Sequence, residues 1–318
     1  MEKTNILVIC KECEEKNMYS PRGIIPALPT PFTPDLKVDE NQLKSLVEWI
    51  SGIEGVTGIL VNGHAGDVVV LSREERKKIL QIAVRETNGK VPVIAGISGG
   101  GTQDTIEYMK DAERVGATAA LVLIPTILTF GFNDEQVYNF FKTIAEATSI
   151  PIIIYQHPVP NNYSTDVLKK LTEIENVVGI KDTSWNFEVC RKDYKALDEA
   201  PRKISKLTGN DLLIFPTFTL NADGAILGFA SLLPEKVIEL FSAVKEGDLN
   251  KAVKINSLIE PLAYIIYGPP SSQNSARLKE GLVMRGKLAN AVSRPPLLPV
   301  SASEKETIYR YLKNVGLI

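Results

Sequence analysis

Short apolar, β-branched runs recur at even spacing along almost the whole chain, and this recurrence limits the available folds more than any other feature. The runs are Ile24–Ala27, Val56–Val61, Val91–Ile94, Ala119–Ile124, Ile150–Tyr155, Val177–Ile180, Ile204–Leu207 and Ala225–Phe229. Most are separated by stretches with helical period and recognisable starts. Asp39 with Gln42 predicts a capping box ahead of Leu43, Leu46, Val47 and Ile50, and Ser72 with Glu75 predicts another ahead of Ile79 and Ile82. Thr102 or Gln103 opens a helix carrying Ile106, Met109 and Val115, and Asp134 opens one carrying Val137, Phe140, Phe141 and Ile144.

Runs bounded by helices on both sides are covered on both faces, as a parallel sheet requires. Eight such units in one series fit a closed (β/α)8 TIM barrel better than an open doubly wound sheet, because closure leaves no edge strand to protect. The open alternative also lacks its phosphate turn. The first run is followed by Pro29-Thr30-Pro31-Phe32 and not by G-x-G-x-x-G, and the glycines of residues 96–101 follow the third run instead. The expected organisation is an N-terminal extension over residues 1–22, the barrel over 23–235 and a C-terminal helical region over 236–318. Helices are predicted there at Lys236–Val244, Asp248–Tyr267, Ser275–Leu288 and Ser303–Asn314.

Composition narrows the function by exclusion. A formal charge of -2 on 318 residues argues against a nucleic-acid partner. The longest apolar stretch, Ala119–Asn133, is too short to span a bilayer and contains a proline, so no membrane association is expected. The start has no cleavage pattern, and a cytoplasmic protein is predicted. Three cysteines do not make a disulfide scaffold. Cys10 and Cys13 form a C-x-x-C without a second pair or a nearby histidine, and are read as incidental thiols; neither metal nor cofactor is called for.

In a barrel, chemistry gathers at the C-terminal ends of the strands. There Lys181 follows directly on Val177–Ile180, and both histidines of the protein, His64 and His157, follow the second and fifth runs. A lysine held at a strand end is partly desolvated. That lowers its pKa and leaves some neutral amine to attack a carbonyl, so a Schiff base is the natural chemistry of the site. His64, His157 and one acidic residue are too few to argue for zinc.

The order and spacing of several motifs resemble the dihydrodipicolinate synthase / N-acetylneuraminate lyase family of class I pyruvate aldolases, across nearly all of Gly23–Pro299. They are PALPTPFTPD at 26–35, GHAGD at 63–67 in place of G-T-T-G-E, VPVIAGIS at 91–98, YQHP at 155–158 in place of Y-N-x-P, VVGIKDTS at 177–184, LTGND at 207–211, DGAILGFASLLPE at 223–235 and RPPLLP at 294–299. The resemblance implies a barrel with a small C-terminal helical region, assembled as a homotetramer of tight dimers. It further implies that Lys181 forms the imine, and that backbone amides around Gly63, His64 and Ala65 hold the carboxylate of a 2-oxo acid. Gly209, Gly228 and Phe229 would line the opposite wall, and Thr30 and Ile127 would complete the substrate site.

Two departures bear on mechanism. The usual hydroxyl pair of the first motif is His64 and Ala65 here, and the usual tyrosine after the fourth strand, in P-x-Y, is Ile127. An isoleucine cannot carry a proton. His157 is the expected replacement, with His64 and Tyr155 nearby. The implied reaction is aldol cleavage or condensation between pyruvate, or a related 2-oxo acid, and an aldehyde. Dehydration, hydration or decarboxylation through the same imine, and a catalytically silent 2-oxo acid-binding barrel, are the alternatives. Phe130, Phe132, Trp185 and Phe187 would suit an apolar or aromatic aldehyde.

Overall fold

Eight parallel strands close into a ring in the computed structural model of the chain, which describes residues 18–318. They are β1 (Gly23–Pro26), β2 (Ile59–Val61), β3 (Val93–Ile97), β4 (Ala119–Val122), β5 (Ile152–Gln156), β6 (Val177–Asp182), β7 (Ser205–Thr208) and β8 (Gly224–Leu227). The hydrogen-bonded order runs from β1 through β8 and β7 back to β2. Bridges Ile24↔Val56 and Ala27↔Leu60 complete it, and the Leu28 N–H donates to the Leu60 carbonyl at 2.8 Å. Every run read from the sequence overlaps a strand, with shifted ends: β2 keeps only the last three residues of its run, β3 extends to Ile97, and β6 continues through Lys181 to Asp182.

The helices are α1 (Glu40–Ser51), α2 (Arg73–Thr87), α3 (Thr102–Val115), α4 (Asp134–Ala147), α5 (Thr165–Leu171), α6 (Phe187–Asp198), α7 (Ile214–Phe218), α8 (Phe229–Leu232), α9 (Pro234–Lys245), α10 (Leu249–Tyr267), α11 (Asn274–Met284) and α12 (Ala302–Asn314). The Ser72–Glu75 capping box forms in both directions. At α1 only half of one forms. Asp39 accepts from the Gln42 N–H, but the Gln42 side-chain amide donates to the Asp39 carboxylate and does not reach back to the cap's own backbone. Helix α9 packs on β1, α7 and α8 and closes the helical ring, so the boundary expected at residue 235 falls inside an element of the barrel.

Alternation along the strands divides the core in two. Ile24, Ile59, Val61, Val93 and Ala95 face the helices, while Ile25, Leu60, Ile94, Leu121, Ile153, Leu207 and Ile226 fill the barrel interior. Met18 and Tyr19 pack against that interior cluster, and the Ser20 hydroxyl lies 3.2 Å from that of Ser205 at the start of β7. The last residues of the expected extension thus belong to the barrel floor. Cys10 and Cys13 lie outside the described residues.

The register of β5 against β6 slips once. Ile152 pairs with Val177 but Ile153 pairs with Gly179, so Val178 is passed over. A one-residue slip exchanges the faces of every residue beyond it. Strict alternation from the outward-facing Val177 would have turned Lys181 toward the helices. The slip turns it inward, level with Tyr155 of β5 and Leu207 of β7, both members of the interior cluster.

Candidate active site

Lys181 is 7% exposed, with its ammonium nitrogen 5.1 Å from the centre of the Tyr155 ring. Burial lowers its pKa to about 8, against the opposing pull of the Asp211 carboxylate. Its stem lies on Gly209, just past β7. A Cβ there would come within 2.5 Å of Lys181 Cε and would also collide with the Thr183 hydroxyl. Only glycine leaves the lysine room to extend.

The loop after β2 bends through left-handed Asn62 (φ 58°) and Asp67 (φ 57°), so its glycines are not the left-handed positions. Gly66 serves close approach instead, since a Cβ on it would stand 3.1 Å from the Leu28 carbonyl. The N–H groups of Gly66 and Asp67 close turns onto the carbonyls of Gly63 and His64, at 3.0 and 3.1 Å. Among the described residues no acceptor takes the amides of Gly63, His64 or Ala65, and His64 and Ala65 line the cavity. Two clamps hold the loop. The buried Thr30 hydroxyl donates to the Gly66 carbonyl at 2.7 Å, and Asp67 accepts from Ser275 at 2.8 Å and from the fully buried Lys279 ammonium at 2.9 Å.

His64 reaches Tyr155, with 3.1 Å between Nδ1 and the phenol oxygen. His64 is exposed and lines the cavity. Desolvation, then the charge of Lys181, lowers its pKa to about 4. Burial raises the Tyr155 pKa, so the phenol holds its proton at neutrality.

His157 is placed differently from the expectation. Its Nε2 accepts the Ile124 N–H at 3.0 Å, and its ring stands edge-on to Tyr155, 4.6 Å between centres. Desolvation is the main cause lowering its pKa to about 3. It backs Tyr155 from outside the cavity, and a ring held neutral with one lone pair already used is poorly suited to relay a proton.

A cavity of about 630 Å³ opens at the C-terminal end of the barrel, lined among others by His64, Ala65, Tyr155, Lys181, Gly209 and Gly228. The other expected residues lie off its wall. Gly63 and Thr30 shape the loop from behind, Phe229 is buried in the outer core, and Ile127 is 62% exposed on the turn after β4. Of the four aromatics expected in the cavity only Trp185 lines it. Phe132 packs on Tyr163, and Phe130 and Phe187 face solvent. Sequence reasoning did not single out Asp211, Thr183 or Tyr267. Asp211 could have been found from its place after the seventh run; Tyr267 arrives from α10 with no local motif to mark it. Among the described residues no group of three His, Cys, Asp or Glu could hold a metal ion, and no helix is long and apolar enough to cross a membrane.

Residues 20–315 match the model of the dihydrodipicolinate synthetase family. The chain belongs to that family. It is 32% identical over 298 residues to a 4-hydroxy-tetrahydrodipicolinate synthase of Methanococcoides burtonii, covering 93% of this chain and 99% of the relative. It is 34% identical to the enzyme of that name from Chloroherpeton thalassium, covering 93% and 96%. Among solved structures it is similar to dihydrodipicolinate synthase from Aquifex aeolicus (TM-score 0.84, 31% identity, 93% and 98% covered). It is also similar to a family member from an Escherichia coli K12 prophage in complex with pyruvate (TM-score 0.85, 26% identity, 93% and 99% covered). Family members are class I Schiff-base aldolases acting on pyruvate, and the chain is an enzyme of this class.

Proposed function

We propose that Lys181 forms the imine with pyruvate, and that the derived enamine makes or breaks a carbon–carbon bond with an aldehyde. The observation that carries this is the desolvated lysine turned into the cavity beside Tyr155, with His64 and Ala65, whose amides are unengaged, lining the same cavity. The neutral fraction of Lys181 attacks C2 of the 2-oxo acid, whose carboxylate is held by the amides of His64 and Ala65, the two residues of the expected trio that line the cavity. Tyr155, hydrogen-bonded to His64, supplies a proton to the carbinolamine oxygen, and water leaves to give the iminium ion. The Tyr155 phenolate so formed takes a C3 proton to give the enamine, which adds to the aldehyde carbon; hydrolysis then frees Lys181. His157 acts by supporting the Tyr155 ring. The similarity to 4-hydroxy-tetrahydrodipicolinate synthases supports a condensing enzyme in particular.

The enzyme is proposed to act in the cytoplasm as a homotetramer, a dimer of dimers. Ile127 and Phe130, 62% and 88% exposed, follow β4, Val159 follows β5 and Phe187 opens α6, exposed apolar side chains that a second copy would bury. Sedimentation equilibrium would give four times the chain mass; a monomer would contradict this part.

Borohydride reduction in the presence of pyruvate, followed by intact-mass measurement, tests the imine. The reduced adduct should appear on wild type and not on Lys181→Ala. Equal labelling of the two proteins would overturn the assignment.

A further inference from the structure

The cavity has a second wall that the chemistry above leaves unused. Tyr267, the last residue of α10, enters the barrel mouth from the C-terminal helical region and lies against Gly228 at the end of β8. A Cβ on Gly228 would fall far inside contact distance of the Tyr267 oxygen and 3.2 Å from its Cζ. The end of β8 is therefore bare where the phenol needs room. The Tyr267 hydroxyl is shut off from solvent and closes no well-formed hydrogen bond, with the Asp211 carboxylate as the side chain acting on it. A buried donor so poorly satisfied is costly, and in an active-site cavity it points to a group that arrives with the substrate.

Asp211 stands beside this phenol. Its Oδ1 accepts the Phe229 N–H at 2.8 Å, and both it and Tyr267 line the cavity together with Lys181. The two groups sense each other, the phenol drawing the carboxyl pKa down and the carboxylate driving the phenol pKa up. Burial is the larger influence on Asp211 and pushes it up to about 7, so both of its protonation states are populated near neutrality.

We propose that Tyr267 is a catalytic acid/base for the carbon–carbon step, exchanging a proton with the oxygen on C4 of a 4-hydroxy-2-oxo acid, with Asp211 behind it as the proton store. This rests on imine formation at Lys181. In cleavage, Tyr267 takes the C4 hydroxyl proton as it passes its own to the Asp211 carboxylate. The C3–C4 bond breaks, its electron pair enters the enamine, and the aldehyde leaves. Condensation runs the same transfers backwards. The proton carrier absent at Ile127 after β4 is in this way supplied from the C-terminal helices.

The test separates the two half-reactions in the full-length protein. Tyr267→Phe should be trapped on Lys181 by pyruvate and borohydride as wild type is, and should exchange the pyruvate methyl protons in D2O at the wild-type rate. Its cleavage of a panel of 4-hydroxy-2-oxo acids, beginning with 4-hydroxy-2-oxopentanoate, should fall by about 10²-fold or more. Its thermal stability should stay close to that of wild type, because the hydroxyl removed closes no well-formed hydrogen bond. Gly228→Ala should also slow cleavage, and it should cost much less when added to Tyr267→Phe than in wild type, since the hydroxyl it chiefly meets is then gone. Wild-type cleavage rates in Tyr267→Phe would overturn the proposal and leave the imine untouched. So would a wild type that forms the imine but cleaves no member of the panel. Absence of the wild-type imine would instead end the Lys181 assignment on which the proposal stands.

Discussion

The two faces of the β5–β6 pair bury ionisable side chains one residue apart and put them to opposite use. Inside the barrel, Lys181 stands level with Tyr155. Outside, Asp182 stands level with Gln156 and meets Asp193 of α6, whose Oδ2 accepts from the Gln156 amide at 2.7 Å. Burial favours the neutral form on both faces, lowering the lysine pKa and raising those of the two carboxyls. What differs is access. The lysine opens on a cavity, which leaves its neutral form within reach of a ligand and, in the proposed reaction, makes it the nucleophile. The carboxyls are sealed between strand and helix, where a shared proton can only hold the packing together.

Crowding the inner face should have the largest effect. Gly209→Ala would drive Lys181 Cε from its place, and a misplacement of this size costs about 10²-fold in reactions that depend on approach geometry. The measurement is the rate of imine formation with pyruvate, with circular dichroism to check the fold. An unchanged rate would mean that the lysine does not depend on the bare backbone of β7.

The outer face should be read in stability. Asp193 has a folded pKa of about 7, above its unfolded value, and that of Asp182 is raised too. Folding therefore holds extra protons, and stability is lost as pH climbs from the ordinary carboxylate range through about 7. Asp193→Asn, which keeps an acceptor for Gln156 and offers an N–H to Asp182, should flatten that decline. Near pH 8 it should be more stable than wild type by about 1–3 kcal/mol, on the scale of partly relaxed buried charges. Urea unfolding at several pH values checks this, and parallel profiles for the two proteins would refute it.

The smallest change is expected just past the strand ends. His157→Asn should reduce turnover by less than about 10-fold, below the usual worth of a positioned acid/base. Its ring receives one backbone N–H and supports Tyr155. A larger loss, with a shift of the acid limb of the pH profile, would return His157 to the chemistry.

The outer frame was legible because it rests on local rules. Eight runs and their intervening caps, as at Ser72 and Glu75, are properties of adjacent residues. The inward turn of Lys181 was not legible in the same way, since it depends on β6 passing over Val178 in its pairing with β5. His157 shows the converse. Its place after a strand marked it for catalysis, but a contact with Ile124, distant in sequence, turns its ring nitrogen away. Tyr267 follows no strand at all and reaches the cavity only through the packing of α10. Residues placed by tertiary contact leave no periodic signal.

The most direct test of the buried lysine is the pH dependence of imine formation with pyruvate, sampled by rapid quench into borohydride at one fixed pH. With its pKa lowered to about 8, the rate should rise with pH as the ammonium loses its proton, pass half-maximum near pH 8 and level off above it. A rate that keeps climbing toward pH 10, as for a solvated lysine, would contradict an amine activated by burial inside the barrel.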